Sequence, residues 1–292
     1  MPATIDELIN LLDLEHIELG LFRGRNPVST LQRAYGGQVL AQALMAASRT
    51  LEVAEQGERR MAHSLHAYFI RPGRADTPIM YDVEQTRDGG SFSTRRVVAR
   101  QGGKNIFAMS ASFQDHEDGF EHQDPQPDLP APQDCPPMSQ VLSNRSGRPP
   151  EIWAAEWGSL DVRYIDDTCG GAADGDEHPA RQRVWVRANG DLPDVLDDPV
   201  LHQSVLAYAS DLTLLSVSTV PHHVAFHTEV QAASLDHAMW FHRPLAADQW
   251  WLYDQHSPSA SNGRGLSMGR IFADGQLAAS CAQEGLIRPL RK

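Results

Sequence analysis

Apolar and polar residues alternate in short runs within two separate parts of this chain. Alternation with a period of two is typical of a strand with one buried face, and short connections carrying Gly or Pro favour antiparallel pairing. The sequence therefore predicts two antiparallel sheets. Their strands are SLHAYFIR (64–71), PIMYDVEQT (78–86), STRRVVAR (93–100) and IFAMSASF (106–113), then ASLDHAMWFH (233–242), WWLYDQHS (250–257), GLSMGRIFA (265–273) and LAASCAQEG (277–285).

A helical pattern precedes each set of strands. GGQVLAQALMAAS (36–48) is apolar most of the way round and rich in alanine, which predicts an enclosed helix that neighbouring backbone can approach closely. LAYASDLTLLS (206–216) has the same character except for Asp211. At 100° per residue Asp211 lies about 40° beyond Leu215, at the edge of the apolar arc. That position suits a group lining a cleft between packed surfaces.

The two parts of the chain resemble each other. Matching residues recur at a constant offset of 172 positions, among them Tyr68/Trp240, Phe69/Phe241, Arg71/Arg243, Pro72/Pro244, Tyr81/Tyr253 and Asp82/Asp254. VLAQALMAA (39–47) parallels VLAYASDLT (205–213), so Met45 occupies the place of Asp211, and Gln114 is aligned with Gln283. A duplicated unit with one helix wrapped by an antiparallel sheet predicts an α+β double hotdog. Its predicted parts are an N-terminal repeat (1–114), a proline-rich linker (115–150) and a C-terminal repeat (151–292).

Composition narrows the classes of partner and compartment. The net charge of −13 over 292 residues argues against a nucleic-acid-binding surface, and no apolar run has membrane-spanning length. Cys135, Cys169 and Cys281 are too few and too widely spaced for a disulfide framework or a thiolate metal cluster. His222, His223 and His227 lack a matching carboxylate spacing, so no metal is expected. The acidic N-terminus differs from a signal peptide, which makes the cytoplasm the expected compartment.

Six motifs lie in one order along nearly the whole chain: GLFRG (20–24), YGGQVLAQAL (35–44), HSLHAYFIRPG (63–73), YASDL (208–212), SLDHAMWFHRP (234–244) and QEG (283–285). In content and order they resemble the acyl-CoA thioesterase II (TesB-like) family. The resemblance implies a double hotdog that hydrolyses fatty acyl-CoA to free fatty acid and coenzyme A. It also implies a homodimer or higher homo-oligomer that uses no cofactor.

The resemblance assigns three catalytic residues. The family's working groups are an Asp on the second helix, a Thr or Ser on the following strand and a Gln near the C-terminus, which fall here on Asp211, Ser234 and Gln283. Ser in place of the commoner Thr keeps the hydroxyl. A carboxylate can orient water and take its proton, while a hydroxyl and a carboxamide hold the water or the carbonyl. Because the chain lacks G-x-S-x-G, direct attack by water is expected rather than a covalent acyl-enzyme.

Candidate substrate-binding residues lie in the first repeat. Gly36 and Gly37 open the first helix, where backbone N–H groups are natural donors to an oxyanion. His63, on the following strand, is interpreted either as a base or as a structural histidine within the sheet. Cys281 shares a strand face with Gln283, and a nucleophilic role for its thiol ranks below attack by water. A hotdog enoyl-CoA hydratase and a non-catalytic acyl-CoA-binding protein remain the alternative functions.

Overall fold

The computed structural model describes residues 1–27, 33–51, 60–167, 180–222, 224, 226 and 229–290. Cys169, His223 and His227, named above, lie outside these residues. The first half contains α1 (Ile5–Leu12), β1 (Glu15–Glu18), β2 (Leu21–Gly24), α2 (Gly36–Ser48), β3 (Met61–Phe69), β4 (Ile79–Asp88), β5 (Phe92–Gln101) and β6 (Lys104–Gln114). The second half contains α3 (Met138–Ser146), α4 (Pro150–Glu156), β7 (Leu160–Asp167), β8 (Arg181–Ala188), α5 (Pro199–Ser210), a 3₁₀ helix (Leu215–His222), β9 (Val230–Ser234), β10 (Asp236–Phe241), β11 (Trp251–Ser261), β12 (Arg264–Ala273) and β13 (Gln276–Pro289).

The described strands join into one antiparallel sheet. Their order is β1-β2-β4-β5-β6-β3-β10-β13-β12-β11-β8-β7, with β9 paired to β13 as a side branch. Each strand of this order has an equivalent in the other repeat. Reading the order from one end therefore gives the same succession of equivalent strands as reading it from the other end. The halves therefore meet at the pairing of β3 with β10, and each repeat contributes one half of a shared sheet.

The register at this junction confirms the duplication. His66 pairs with Ala238 at its centre, and the offset of 172 that aligns the repeats relates the same two residues. Moving outwards, the offset exchanges the pair Asp236–Tyr68 with the pair Trp240–Ser64. A twofold pseudosymmetry axis thus passes between His66 and Ala238, as expected when two copies of one unit pair through the same strand.

One detail of the predicted repeat alignment is wrong. The pairing of β6 with β3 repeats the pairing of β13 with β10 at the offset of 172. On this register the first-half equivalent of Gln283 is Ala111, not Gln114. Ser234 has Ala62 as its equivalent by the same rule. The strand register decides the alignment, since a shift by an odd number of residues would turn every side chain to the other face of the sheet.

Two helices fill the concave side of the sheet. Every residue of α2 from Gly37 to Ser48 is buried, and so is most of α5. Where the helices meet, the rings of Tyr35 and Tyr208 pack edge to face with centroids 5.0 Å apart. The absence of a side chain at Gly37 allows this approach, because a Cβ there would lie 2.3 Å from the Tyr208 carbonyl oxygen. The predicted double hotdog is confirmed.

The position of Asp211 within a helix is corrected by the structure. The α-helix ends at Ser210 and Asp211 is its C-terminal cap, so Leu215 belongs to the following 3₁₀ helix rather than to the same helical wheel. Two of the last carbonyl groups of α5 accept hydrogen bonds from side chains outside the helix. Tyr35 Oη donates to the Tyr208 oxygen at 2.9 Å and Tyr253 Oη donates to the Ser210 oxygen at 2.8 Å. The helix can therefore stop there, since carbonyls that would otherwise lose their helical partners are satisfied from outside.

Several helices and strands of the structure were not predicted from the sequence. Strands β1, β2, β7 and β8 form the two ends of the sheet, and α3 and α4 lie inside or next to the segment expected to be a linker. Pro137 caps α3, a position where a missing N–H costs no helical hydrogen bond. The division of the chain at residues 114 and 150 stays a prediction. Among the described residues, no helix has the length and apolarity needed to cross a lipid bilayer.

Candidate active site

Asp211, Ser234 and Gln283 come together from three elements. Asp211 caps α5, Ser234 ends β9, and Gln283 points inwards from β13. Ser234 Oγ donates to Asp211 Oδ1 at 3.2 Å. Gln283 Nε2 donates to the same carboxylate oxygen and to Ser234 Oγ, the latter at 3.0 Å. The residues assigned by sequence resemblance thus form one hydrogen-bonded group.

The pairing of β9 with β13 places the hydroxyl beside the carboxamide. Ser234 lies opposite Gly285, two residues from Gln283 on the same face of β13. Beyond Ser234 the chain turns into β10, and Leu235 N donates to the Glu284 oxygen at 2.9 Å. Asp236 Oδ1 accepts from Glu284 N at 2.6 Å and fastens this bend. The backbone around both side chains is therefore held by the sheet itself.

The N-terminus of α2 closes the site around the carboxylate. A backbone hydrogen bond from Gly37 reaches Asp211, and a Cβ added at Gly36 would lie 2.6 Å from Asp211 Oδ2. Two adjacent glycines therefore let the positive end of the helix dipole come against the carboxylate. The predicted substrate-binding residues Gly36 and Gly37 are placed in direct contact with the catalytic candidate.

The carboxyl group of Asp211 has a pKa raised to about 6. Burial, which disfavours the charged form, is the largest cause, and hydrogen bonds from Gln283, Ser234 and the Gly37 backbone oppose it. A carboxylate with a pKa near neutrality is a stronger base than an exposed one and is still ionised at pH 7. These are the properties of a general base that acts on water.

Buried neutral groups surround this carboxylate. His237 is fully buried, its Nε2 lies 2.9 Å from Ser210 Oγ, and burial lowers the pKa of its imidazole to about 3. Cys281 is buried beside the Tyr253 hydroxyl, and burial raises the pKa of its thiol to about 12. Because the nucleophilic form is the thiolate, the alternative of a nucleophilic Cys281 has no support in this geometry.

Comparison with known proteins identifies the family. A family model described as acyl-CoA thioesterase matches residues 159–286, and one described as acyl-CoA thioesterase N-terminal domain matches residues 25–114. Acyl-CoA thioesterase 2 of Haemophilus influenzae is 38% identical over 99% of this chain and 99% of its own length. Human acyl-coenzyme A thioesterase 8 is 38% identical over 95% of this chain and 88% of its own length. The chain belongs to the acyl-CoA thioesterase family.

Solved structures agree with this membership. The acyl-CoA thioesterase II TesB2 of Mycobacterium marinum superposes with a TM-score of 0.80 at 44% identity, covering 96% of this chain and 98% of that one. A tesB protein of Mycobacterium avium subspecies paratuberculosis gives a TM-score of 0.78 at 30% identity, covering 98% of this chain and 100% of that one. The family predicted from sequence motifs is confirmed, and with it the class of enzyme, a thioester hydrolase.

His63 lies apart from the hydrogen-bonded group in this acyl-CoA thioesterase. Its Nε2 is 2.8 Å from Ser112 Oγ, and its ring packs edge to face on Phe92 with centroids 5.6 Å apart. Partial burial lowers the pKa of its imidazole. Within the described part of the chain, none of its hydrogen bonds or ring contacts involves Asp211, Ser234 or Gln283. Its role in substrate binding stays a prediction.

The residues that hold the end of α5 beside Asp211 were not predicted from the sequence. Tyr35 and Tyr253 fix the end of α5 through their hydroxyls. A sequence signal existed for Tyr253, which matches Tyr81 in the repeat. Its contact with Ser210 depends on the packing of β11 under α5 and leaves no local pattern. Within the described residues, no group of three His, Cys, Asp or Glu side chains is arranged to hold a metal ion.

Proposed function

We propose that Asp211, Ser234 and Gln283 form the site at which this thioesterase hydrolyses fatty acyl-CoA by direct attack of water. The observation that carries the proposal is the shared Asp211 carboxylate, which accepts hydrogen bonds from both Ser234 and Gln283. Its pKa of about 6 suits proton transfer from water at neutral pH. No covalent intermediate is needed, because the base activates water instead of a side-chain nucleophile.

The reaction follows from the position of each group. Asp211 takes a proton from a water molecule as the water oxygen bonds to the thioester carbonyl carbon. Gln283 and Ser234 hold the carboxylate and the water in line with that carbon. As the tetrahedral intermediate collapses, the carbon–sulfur bond breaks and the thiolate of coenzyme A takes the proton back from Asp211. The products are the free fatty acid and coenzyme A.

The first turn of α2 is our candidate for the oxyanion site. The first N–H groups of a helix have no partner within the helix and point towards its N-terminal end. The Gly37 N–H is engaged by Asp211, and the Gly36 N–H belongs to the same turn, on a residue whose added Cβ would lie 2.6 Å from Asp211 Oδ2. We propose that the Gly36 N–H stabilises the negative charge that develops on the thioester oxygen.

Release of free thiol from acyl-CoA tests the proposed site. We expect Asp211→Asn to lower kcat by about 10²- to 10⁴-fold, the range typical of a lost general base. The matched control is Asp236→Asn, since Asp236 is also partly buried in this region but only fastens the β9–β10 bend. The site assignment fails if the two variants retain equal activity. Addition of water to enoyl-CoA, followed by absorbance, measures the alternative hydratase activity in the same preparations.

We also propose that the molecule assembles as a homodimer or higher homo-oligomer and acts on fatty acyl-CoA in the cytoplasm. Large apolar side chains stand on the outer face of the sheet at its centre: Tyr68 is 66% exposed, Trp240 38% and Met268 41%. A second copy stacked on this face would cover them. Light scattering of wild type and Trp240→Arg tests the assembly, with dissociation expected in the variant. Fractionation of cells tests the compartment.

A further inference from the structure

The Gln283 carboxamide must be held in one orientation to serve Asp211. Gln283 is fully buried, and its Nε2 faces the carboxylate. A half-turn of the amide would put Oε1 against an ionised oxygen, which repels it. Oε1 is buried and has no hydrogen-bond partner within the described residues. A buried amide oxygen without a donor costs free energy, so a group that satisfies it would also fix the orientation.

Ser267 is the residue placed to satisfy that oxygen. It lies directly opposite Gln283 in the pairing of β12 with β13 and points to the same inner face. It is fully buried, and its Oγ also has no hydrogen-bond partner in the described part of the chain. Side chains opposite each other in an antiparallel pair have Cβ atoms about 4.5–5.5 Å apart. The Ser267 hydroxyl can therefore donate to Gln283 Oε1 across this gap, directly or through one water.

A second glutamine supplies the donor that Ser267 needs. Gln255 is fully buried on β11 opposite Gly269, which follows Ser267 by two residues on the same face of β12. Its Oε1 accepts from Thr213 Oγ1 at 2.9 Å, so its Nε2 is the side left without a partner among the described residues. An amide nitrogen only donates, and a hydroxyl oxygen both accepts and donates. Gln255 Nε2 can therefore donate to Ser267 Oγ, and the Ser267 hydroxyl can donate to Gln283 Oε1.

We infer that Ser267 is a positioning residue, which orients the Gln283 carboxamide through a directed set of hydrogen bonds. The direction runs from the Thr213 hydroxyl to Gln255, from Gln255 to Ser267, from Ser267 to Gln283 and from Gln283 to Asp211. Thr213 follows Asp211 by two residues, so the set begins and ends on the same short stretch of chain. Water bridges the steps that exceed direct contact, as buried polar atoms commonly require. The inference rests on the proposed roles of Asp211 and Gln283.

Ser267→Ala tests the inference. With the donor removed, the Gln283 amide is free to turn, and we expect kcat to fall about tenfold while KM changes less than about twofold. Thr213→Val removes the first donor of this set of hydrogen bonds with little change of side-chain shape. We expect it to lower kcat as Ser267→Ala does. The matched control is Ser257→Ala, because Ser257 is another buried serine of this sheet whose Oγ donates to the Leu266 oxygen at 2.6 Å. We expect it to keep the wild-type kcat.

A double-mutant cycle separates positioning from a purely structural effect. If Ser267 acts through Gln283, Ser267→Ala costs no further activity once Gln283→Ala is present. An equal loss in both backgrounds overturns the inference, and so does a wild-type kcat for Ser267→Ala. A wild-type kcat for Gln283→Ala alone would instead remove the proposed catalytic role of Gln283, a result that the single variant reports separately. Melting temperatures of all variants identify any loss caused by unfolding.

Discussion

The reactivity of Asp211 is set by opposing influences at one carboxylate. It lies at the C-terminal end of α5, where the helix dipole disfavours a negative charge, and at the N-terminal end of α2, where the dipole favours it. Burial adds the largest effect and raises the pKa. Hydrogen bonds from Ser234 and Gln283 prevent the rise from going further. The base is therefore ionised at neutral pH yet more basic than an exposed aspartate.

The dependence of kcat/KM on pH follows at the residue scale. Protonation of Asp211 abolishes the base, so kcat/KM should fall about tenfold per unit below pH 6 and level off above it. Among the described neighbours, five groups do not titrate near pH 6, because burial lowers the pKa of one imidazole to about 3, raises that of one thiol to about 12 and raises those of three phenols: His237, Cys281, Tyr35, Tyr208 and Tyr253. Burial also raises the pKa of the Asp236 carboxyl, and the profile of Asp236→Asn identifies any part of the acid limb that belongs to it. Stopped assays from pH 4.5 to 9 measure the profile.

The residual activity of Asp211→Asn is the control for this profile. Ionisation of the substrate phosphates would persist in the variant, whereas ionisation of Asp211 would not. We expect the acid limb to disappear with the carboxylate. An unchanged limb in the variant would assign it to another group.

At the scale of elements, the site depends on the close approach of α2 to the end of α5. The two helices belong to different repeats, and each repeat supplies one half of the arrangement. Gly36 and Gly37 start α2 without side chains, and Tyr35 ties this start to the Tyr208 carbonyl. The end of α5 is thus fixed by α2 on one side and by β11, through Tyr253, on the other.

A methyl group at Gly36 should separate these elements. Its Cβ would lie 2.6 Å from Asp211 Oδ2, closer than such contacts occur, so α2 or Asp211 must move. We expect Gly36→Ala to lower kcat/KM by at least about tenfold, since displacements of about an ångström are costly in catalysis. Ala otherwise favours a helix by about 1 kcal/mol over Gly, so lost helix propensity cannot explain the defect.

Gly90→Ala is the matched control for this prediction. A Cβ at Gly90 meets no atom within 4 Å, and we expect its kinetics to equal those of the wild type. Thiol-release assays on both variants give the comparison. Equal activity of the two would contradict the role given to the close approach.

The duplicated tyrosines offer a second comparison between elements. Tyr253 Oη donates to the Ser210 oxygen at 2.8 Å, next to Asp211, whereas its repeat equivalent Tyr81 donates to Gln42 Oε1 at 2.7 Å in the first half. Tyr81→Phe removes one buried hydrogen bond, and Tyr253→Phe removes the bond to Ser210 together with the contact to Cys281 Sγ. Each change should cost about 1–2 kcal/mol of unfolding free energy. Only Tyr253→Phe should also lower kcat, by several-fold. Denaturant unfolding measures the stability of both variants, and thiol release measures their kcat. An equal fall of kcat in the two variants would refute the separate role of Tyr253.

For the whole molecule, duplication has left one candidate site in the described chain of two repeats. The first-half equivalents of Asp211, Ser234 and Gln283 are Met45, Ala62 and Ala111, which carry neither a base nor a hydrogen-bonding side chain. The first repeat instead supplies the N-terminus of α2, and the shared sheet brings that helix to the second repeat. One repeat thus provides the proposed reacting groups, and the other repeat provides the N-terminal end of α2.

The same carboxylate should reduce the stability of the whole fold at neutral pH. The folded-state pKa of Asp211, about 6, lies above the ordinary value of 3.8 for this group, so the folded protein binds the proton more tightly than the unfolded chain. The associated stability is present below about pH 4 and is lost as pH rises through 6. Asp211→Asn removes this loss. Its unfolding free energy at pH 8 should exceed that of the wild type by about 1–3 kcal/mol, and contact of the carboxyl with solvent reduces this difference.

Unfolding free energies of wild type and Asp211→Asn at pH 4 and pH 8 measure this effect. The difference between the proteins should grow with pH over this interval. A difference that is the same at both values would contradict the raised pKa. A gain in stability together with a loss of activity is the expected result for a charge retained for catalysis.

Local sequence patterns were enough to predict the architecture of each repeat. Period-two alternation predicted eight strands, which overlap β3–β6 and β10–β13, and the alanine-rich segment predicted α2. These features depend on neighbours a few residues apart, and burial of one face makes their pattern explicit. The constant offset of 172 predicted two copies of one unit, and motif resemblance supplied Asp211, Ser234 and Gln283. The end strands were not predicted. β1 and β2 have only four residues each, which is too short for a clear pattern, whereas β7 and β8 have eight residues each and alternate apolar with polar residues, a signal that could have identified them.

The contacts among those residues depend on the packing of the folded chain. Ser234 and Gln283 lie 23 and 72 residues from Asp211, and Tyr35 lies 173 residues from the carbonyl it binds. Contacts at such separations are fixed by sheet register and helix packing, which no local pattern encodes. The end of α5 at Ser210, the glycines against Asp211 and the placement of Ser267 opposite Gln283 all have this origin. The sequence named the groups, and packing between the two repeats brought them into one site.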